Sequence, residues 1–309
     1  MLNFRKIDLT DRSLLEPKLR GFDCNMLNYN FVIQFIYREV INFQYAFADD
    51  FLFLKVHNDN GQEQFLMPVG DNRYLTDALN RLKNYAFSRN DSFTITQFCE
   101  INAQYMIEWI DKCVENEPVN YEFYPVRDEF EYMYRSEDLV KLEGHILKSK
   151  RNRVNAFHRN YKGTVEPVTP NSINEIMCFS KQWTDIKFEH PKMERLKIEV
   201  AALHESLRHF SELGLSGIML RADGVLAAFA LGCPLNDETF LVLFEEGDID
   251  FTGSYNVVNQ EFAKVIAEKY TYINRSEDCG IEGLRRAKLA YNPCFLNKVH
   301  HLDIYKTKR

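Results

Sequence analysis

The feature that most constrains the fold is the order of the predicted strands and helices, which is nearly the same in both halves of the 309-residue chain. In the second half, three extended runs at 215–222, 225–233 and 239–245 are separated by turns of hairpin length, so they predict an antiparallel meander. A strand and two helices precede the meander, and a helix, a strand, a helix and a closing strand follow it. These flanking elements are predicted at residues 164–169, 172–188 and 191–213, and at residues 253–269, 271–274, 281–291 and 298–305.

The first half repeats this order, although no repeat is visible at the level of individual residues. Its meander is predicted at 43–47, 51–56 and 64–69, and a helix, a strand, a helix and two strands follow at 73–88, 93–97, 103–115, 121–126 and 129–134. Three antiparallel strands, a helix, a strand, a helix and a final strand are the order of the GNAT (N-acetyltransferase-type) fold. The sequence therefore predicts an α/β protein of the α+β type, with two tandem GNAT-like (acyl-CoA N-acyltransferase-like) domains and mixed, mainly antiparallel sheets.

The domain boundary is predicted at the start of a long helical pattern. Residues 1–136 would form a degenerate N-terminal GNAT-like domain, and residues 137–309 a C-terminal GNAT-like domain that opens with a linking helix at 137–162. The first half has no acidic pair after its meander and no polar cluster after its strand at 93–97. We therefore expect the first domain to be a scaffold for a site in the second.

Composition excludes several classes of protein. The chain is 45% hydrophobic and 14% aromatic, which is typical of an ordered globular core and not of a disordered chain. No apolar stretch is long enough for a transmembrane segment, and Asp8 and Asp11 interrupt the N-terminus before a signal peptide could form. An odd number of cysteines, seven, without a C-x-x-C pair argues against a disulfide framework and a zinc ribbon. These features predict a cytoplasmic protein.

Positive charge is concentrated in one segment of an acidic chain. The net charge is −7, and residues 148–162 hold six Lys/Arg and no acid, so subtracting these six leaves −13 for the remainder. The six are Lys148, Lys150, Arg151, Arg153, Arg159 and Lys162. Lys150 falls on the apolar stripe of the predicted helix, between Ile146 and Val154, and Arg153 flanks it. A lysine that points inward needs a partner or a cavity.

A second polar group follows the predicted strand at 271–274. The strand would deliver Asn274 and Arg275 to the sheet edge, Asp278 could cap the next helix, and that helix presents Arg285 and Lys288. The candidate substrate-binding residues are Lys150, Arg153, Asn274, Arg275, Glu277, Asp278, Arg285 and Lys288. The alternative is an ion-paired clamp of Arg275, Glu277, Asp278 and Arg285 that only holds strand to helix.

Acidic residues mark the end of the third meander strand. Glu245 and Glu246 are candidate general bases, because the fourth and fifth strands of a GNAT sheet separate there and admit the donor. Acetyl-CoA enzymes of this fold bind pyrophosphate on a glycine-rich loop at the following helix start. Here that loop carries four acids, including Asp248 and Asp250, which would repel a pyrophosphate. No cofactor is expected, and no metal, since His204 and His209 are five residues apart and lack zinc-pair spacing.

Three segments resemble the bacterial family grouped with the C-terminal domain of phosphatidylglycerol lysyltransferases. The segments are 139–155 with Lys150-Arg-Asn, the run from Glu245 into Tyr255-x-x-x-Asn259-x-x-Phe262, and Tyr272-Ile-Asn-Arg-Ser-Glu-Asp-x-Gly-Ile-x-Gly-Leu-Arg-x-Ala-Lys-x-x-Tyr-x-Pro293. Ser276 departs from the pattern, which usually has a second acid beside Glu277. Members are similar to tandem GNAT-type proteins, in agreement with the element order.

The resemblance implies a transfer reaction. Lysyltransferase relatives move an aminoacyl group from aminoacyl-tRNA to a lipid headgroup, and similar peptidoglycan-bridge enzymes use tandem domains of this fold. We therefore expect an acyl or aminoacyl transferase that uses aminoacyl-tRNA as donor, in preference to acyl-CoA, and an amine or hydroxyl acceptor on a lipid headgroup or peptide. The alternatives are an acyl-CoA-dependent N-acyltransferase and a non-catalytic module that binds tRNA or anionic lipid headgroups through its basic helix. If the protein is a non-catalytic module, Lys150 and Lys288 should lie in solvent. If it is an enzyme, both lysines should line a cleft that they share with Glu245 or Glu246.

Overall fold

Two seven-stranded mixed sheets organise the protein, in a computed structural model that describes residues 2–22, 25–58, 60–187 and 193–307. The chain divides into two units, one of residues up to 130 together with those from 297 onward, and one of residues 131–296. The predicted helix ends at 188 and at 191–192 lie outside the described residues. No helix of the described ranges is long and apolar enough to cross a bilayer.

The first unit contains a sheet with the order β1-β2-β3-β4-β5-β14-β6. Its strands are β1 Arg5–Lys6, β2 Gln44–Ala48, β3 Phe51–His57, β4 Glu63–Leu66, β5 Ser92–Cys99, β6 Val119–Pro125 and β14 Val299–Lys306. Its helices are α1 Arg12–Arg20, α2 Phe31–Ile36, α3 Leu75–Phe87 and α4 Glu100–Asn116. All strand pairs are antiparallel except β4 with β5, which are parallel.

The second unit contains a sheet with the order β8-β9-β10-β11-β12-β7-β13. Its strands are β7 Glu131–Arg135, β8 Gly163–Pro167, β9 Ser216–Ala222, β10 Val225–Pro234, β11 Thr239–Gly247, β12 Tyr272–Asn274 and β13 Phe295–Asn297, the last residue of which falls at the unit boundary. Its helices are α5 Ser136–Lys141, α6 Lys148–Asn160, α7 Ile173–Lys187, α8 Met193–Arg208, α9 Ser254–Ala267 and α10 Glu282–Leu289. Strands β11 and β12 are parallel to each other and occupy the same place in the strand order as the parallel pair β4 and β5 in the first sheet.

The sequence assigned the last strand of each half to the wrong sheet. The closing strand β14 was expected in the second domain, yet it lies in the first sheet between β5 and β6. Conversely β7, expected in the first half, pairs with β12 through Tyr134 and Ile273. Both exchanged strands bury apolar side chains in their new sheets, including Met133 and Leu302. Strand periodicity reports burial but carries no information on which sheet supplies the partner.

The predicted linking helix at 137–162 is two helices. Leu142 ends α5 in a left-handed conformation with φ 49°, Gly144 has φ 78°, and α6 begins only at Lys148. The Arg151 side chain donates to the carbonyl oxygens of residues 142 and 144, which satisfies groups left open by the break. The inward face of α6 is as predicted, since Lys150, Val154 and Phe157 are all buried.

Candidate functional site

The site lies where β11 and β12 separate. Only Thr239, Phe240 and Leu241 of β11 pair with β12, and residues 242–247 continue beyond the end of β12. The chain leaves β12 at Asn274 and turns, with Ser276 in a left-handed conformation at φ 56°. This geometry places the next side chain, Arg275, beside the unpaired end of β11.

Arg275 forms a buried ion pair in this gap. Its Nη2 donates to Oε1 of Glu245 at 2.7 Å, and their side chains are only 12% and 11% exposed. From α9, Asn259 donates its Nδ2 to the other carboxylate oxygen, Oε2, at 3.0 Å. Burial disfavours the guanidinium, but the Glu245 carboxylate outweighs that cost and raises the pKa of Arg275. Within the described ranges, Arg275 Nη1 and Asn259 Oδ1 are buried without a hydrogen-bond partner.

The aromatic ring of Tyr291 lies near both positive charges of the site. The Arg275 guanidinium lies 4.9 Å from the ring centre of Tyr291, and the Lys150 ammonium lies 4.3 Å from the same ring. Tyr291 accepts a hydrogen bond from Asn256 at its hydroxyl, and burial raises its pKa to about 12, so the phenol stays neutral. We call Lys150, Glu245, Asn259, Arg275 and Tyr291 the cleft cluster. Two cations therefore lie near one aromatic ring, and only Arg275 of the two pairs with the carboxylate of Glu245.

Other predicted site residues form a separate group, which we call the clamp: Asn274, Asp278, Arg285 and Lys288. Asp278 is fully buried and accepts hydrogen bonds from the Tyr132 hydroxyl at 2.6 Å and from Arg285 at 2.8 and 2.9 Å. Burial opposes ionisation, but the donors around Asp278 outweigh it and lower the pKa of this carboxyl. Of the four residues in the ion-paired alternative, Asp278 and Arg285 pair with each other, whereas Arg275 pairs with Glu245.

Lys288 belongs to the clamp by its hydrogen bonds. Its Nζ donates to the carbonyl oxygens of Arg275 and Glu277 at 2.6 and 2.5 Å, which fixes the turn after β12. Burial lowers the pKa of Lys288 to about 8. Asn274 is also fully buried, and its Nδ2 donates to Glu131 at 2.6 Å. The hydrogen bonds of Lys288 and Asn274 therefore hold in place the turn that carries Arg275.

The remaining predictions differ in outcome. Glu245 faces the cleft cluster, whereas Glu246 points to the opposite side of β11, because successive strand residues alternate. Arg153 is exposed on α6, and Glu277 supplies its backbone carbonyl to Lys288. Asn259 and Tyr291 had no predicted role, although both stand in the segments that carry the family resemblance. Their place in the cluster depends on tertiary contacts with Glu245 and Lys150.

The start of α9 is covered by α6. Gly253 has φ 93°, and a Cβ there would come within 2.5 Å of the Arg153 carbonyl oxygen. In the first turn, the amides of Ser254 and Asn256 bond to the carbonyls of Phe251 and Gly253. The backbone carbonyl oxygen of Arg153 therefore lies close to the start of α9, the position at which this fold can bind a coenzyme pyrophosphate.

A cavity of about 430 Å³ lies in the first unit, between α3 and α4. Its charged and polar walls pair with one another: Lys83 with Glu117, the Trp109 indole with Asn80, and Thr76 with Tyr105. These groups satisfy each other, unlike the donor and acceptor left over in the cleft cluster. No group of three or more His, Cys, Asp or Glu side chains in the described ranges is arranged to hold a metal ion.

Comparisons with known proteins identify a family and a fold. The sequence profile of the family described as phosphatidylglycerol lysyltransferase, C-terminal, matches residues 28–299. A conserved protein of unknown function from Bacteroides thetaiotaomicron is 32% identical, with TM-score 0.88 over 99% of this chain and 100% of that one. No curated protein sequence matches significantly.

Two more distant structures share the fold. The C-terminal domain of a protein described as a lysylphosphatidylglycerol synthetase from Agrobacterium fabrum is 13% identical, with TM-score 0.64 over 95% of this chain and 91% of that one. L-PGS from Bacillus licheniformis is 14% identical, with TM-score 0.61 over 97% and 93%. These likenesses confirm the prediction of tandem GNAT-like domains.

Proposed function

The chain belongs to the phosphatidylglycerol lysyltransferase C-terminal family, and on that premise we propose that it transfers an aminoacyl group from aminoacyl-tRNA to an amine or hydroxyl acceptor. Its family and fold place it among acyltransferase-like proteins. The acceptor would be a lipid headgroup or a peptide. The proposal adds the identities of the acyl donor and of the acceptor to what the family shows.

The start of α9 is the observation that carries the choice of donor. A CoA-dependent enzyme of this fold needs free amides and a favourable dipole at this helix end. Here the Arg153 carbonyl packs against Gly253, and the loop before it carries Asp248 and Asp250. Both features disfavour a pyrophosphate. They argue for a donor that delivers its acyl group without a pyrophosphate at this position, as aminoacyl-tRNA would.

The cleft cluster fits an aminoacyl ester better than a plain acyl group. Arg275 Nη1 is a donor and Asn259 Oδ1 an acceptor, and neither has a partner among the described residues. An aminoacyl ester has both an acceptor, its carbonyl oxygen, and a donor, its α-ammonium, whereas an acetyl group lacks the donor. In the reaction, Arg275 would stabilise the oxyanion that forms as the carbonyl carbon is attacked.

Exposed cations on α6 and immediately after it suit a polyanionic donor. Lys148, Arg153, Arg159 and Lys162 are all exposed, and phosphate contacts of this kind give salt-dependent binding. The non-catalytic module uses the same cations but requires Lys150 and Lys288 in solvent. Both lysines are buried, which argues against that alternative.

The test is a donor screen with matched variants. Purified protein is incubated with pooled aminoacyl-tRNAs or with acyl-CoAs, together with lipid, peptide and amine acceptors, and loss of acyl donor is followed. We expect turnover of aminoacyl-tRNA in the wild type and in Arg286→Ala, an exposed arginine on α10, but not in Arg275→Met. Turnover of acyl-CoA alone, or of neither donor class, would refute the proposal.

A further inference from the structure

Lys150 has an unusual environment for a lysine. The residue is buried on the inward face of α6, yet no carboxylate among the described residues forms an ion pair with it. Its ammonium lies over the Tyr291 ring, 4.3 Å from the ring centre, and no side-chain or backbone acceptor of the described ranges bonds to it. Lys288 differs, because two carbonyl oxygens hold its Nζ.

The charges that face Lys150 disfavour its ammonium form. The two positive charges are those of Arg153, on the same helix, and of Arg275, in the turn after β12. The neutral phenol of Tyr291, which follows α10, lies against the Lys150 ammonium. The cluster's carboxylate, Glu245, is held by Arg275 on one oxygen and by Asn259 on the other. Burial first, and then the two arginines, lower the pKa of Lys150.

Glu245 is less suited to accept a proton than the sequence suggests. Both of its carboxylate oxygens already accept hydrogen bonds, and losing the negative charge would leave the Arg275 guanidinium unpaired in a buried site. When the Lys150 side chain is neutral, its nitrogen has a lone pair that can accept a proton within the cleft cluster. We propose that the Lys150 amine, and not the Glu245 carboxylate, accepts the proton of the attacking acceptor.

The step, which rests on the proposed function, balances without a further reactant. The acceptor's amine or hydroxyl attacks the ester carbonyl carbon, and its proton passes to Lys150 Nζ as the new C–N or C–O bond forms. The ester C–O bond to the tRNA ribose then breaks, and Lys150 returns the proton to the departing ribose oxygen. Arg275 holds the oxyanion in between, and Lys150 ends as the neutral amine in which it began.

Replacement by arginine separates the two roles that Lys150 could have. Lys150→Arg keeps the positive charge but cannot act as a base, because a guanidinium stays protonated. We expect kcat to fall about 100-fold or more in Lys150→Arg, the loss typical of a missing general base. Lys141→Arg, at an exposed lysine of α5 that pairs with Glu137, should retain wild-type kcat. Wild-type kcat in Lys150→Arg, with loss instead in Glu245→Gln, would overturn the proposal.

A second measurement does not depend on transfer activity. Reductive methylation of the wild type with formaldehyde and cyanoborohydride, followed site by site by mass spectrometry, reports the pH at which each amine becomes neutral. We expect the midpoint for Lys150 to lie at lower pH in the folded protein than in the denatured chain, and an equal or higher midpoint would contradict the proposal. If the wild type transfers no aminoacyl group, the proposed function and the proton transfer to Lys150 are both refuted, whatever the methylation midpoint. A lowered midpoint would in that case still identify Lys150 as an amine with a lowered pKa.

Discussion

The buried pair of Arg275 and Glu245 gives the sharpest prediction for stability. Removal of one partner from a buried ion pair typically costs about 3–5 kcal/mol, because the other charge stays in a poor solvent. Here Glu245 would keep its hydrogen bond from Asn259, and Arg275 would keep its contact with Tyr291, so the lower end applies. We therefore expect Arg275→Met and Glu245→Gln each to lower the unfolding free energy by about 3 kcal/mol.

A double-mutant cycle in urea unfolding measures this pair. The double variant should lose less than the sum of the singles, with a coupling energy of about 1–3 kcal/mol, since neither charge is then left alone. Arg286→Ala, on an exposed arginine, should change stability by no more than about 0.5 kcal/mol. Single variants that cost less than about 1 kcal/mol would refute the reasoning, because they would show that both charges reach water.

Three further predictions concern the surroundings of the site. Because burial lowers the pKa of Lys288 to about 8 from 10.5, the unfolded chain binds more protons between these values, and wild-type stability relative to Lys288→Met should rise with pH from about 8 to 10. The lowered pKa of Asp278 has the same sign but acts at acid pH: its advantage over Asp278→Asn, about 1–3 kcal/mol at pH 7, should shrink as pH falls below 3.8. Urea titrations across pH check both, and a pH-independent difference would contradict either. Gly253→Ala should cost about 1–3 kcal/mol, since it places a Cβ within 2.5 Å of the Arg153 carbonyl oxygen at φ 93°, whereas Gly283→Ala, with no atom near its Cβ, should be neutral or stabilising in thermal melts.

The repeat in element order was enough to predict the fold. The meander of β9, β10 and β11 follows from alternation and hairpin-length turns, which are local signals. The exchange of β7 and β14 between the sheets could not be predicted, because a strand's hydrophobic pattern does not identify its neighbours. The break after Leu142 was missed for a related reason: Ile146 fits the helical stripe by spacing, but lies exposed in the turn before α6.

Sequence spacing identified the inward-facing lysines but did not predict which charged residues pair. It placed Lys150 and Lys288 on inward faces correctly, and it placed Glu245 at the separated strands. It grouped Arg275 with Asp278, whereas the structure pairs Arg275 with Glu245 across the gap. Partner choice between buried charges depends on distances of a few ångströms, which residue spacing cannot supply. The catalytic roles of Glu245 and Glu246 stay predictions, as do the cytoplasmic location and the aminoacyl-tRNA donor.

A single-turnover assay follows the proposed aminoacyl transfer itself. Excess protein is mixed with aminoacyl-tRNA that carries a labelled amino acid, in the presence of lipid and peptide acceptors, and the label is followed in RNA, acceptor and free amino acid. We expect the label to move from RNA to an acceptor in the wild type and in Lys141→Arg, and to stay on RNA in Arg275→Met. Label that remains on RNA in the wild type, or that is released only as free amino acid at the same rate in Arg275→Met, would contradict it.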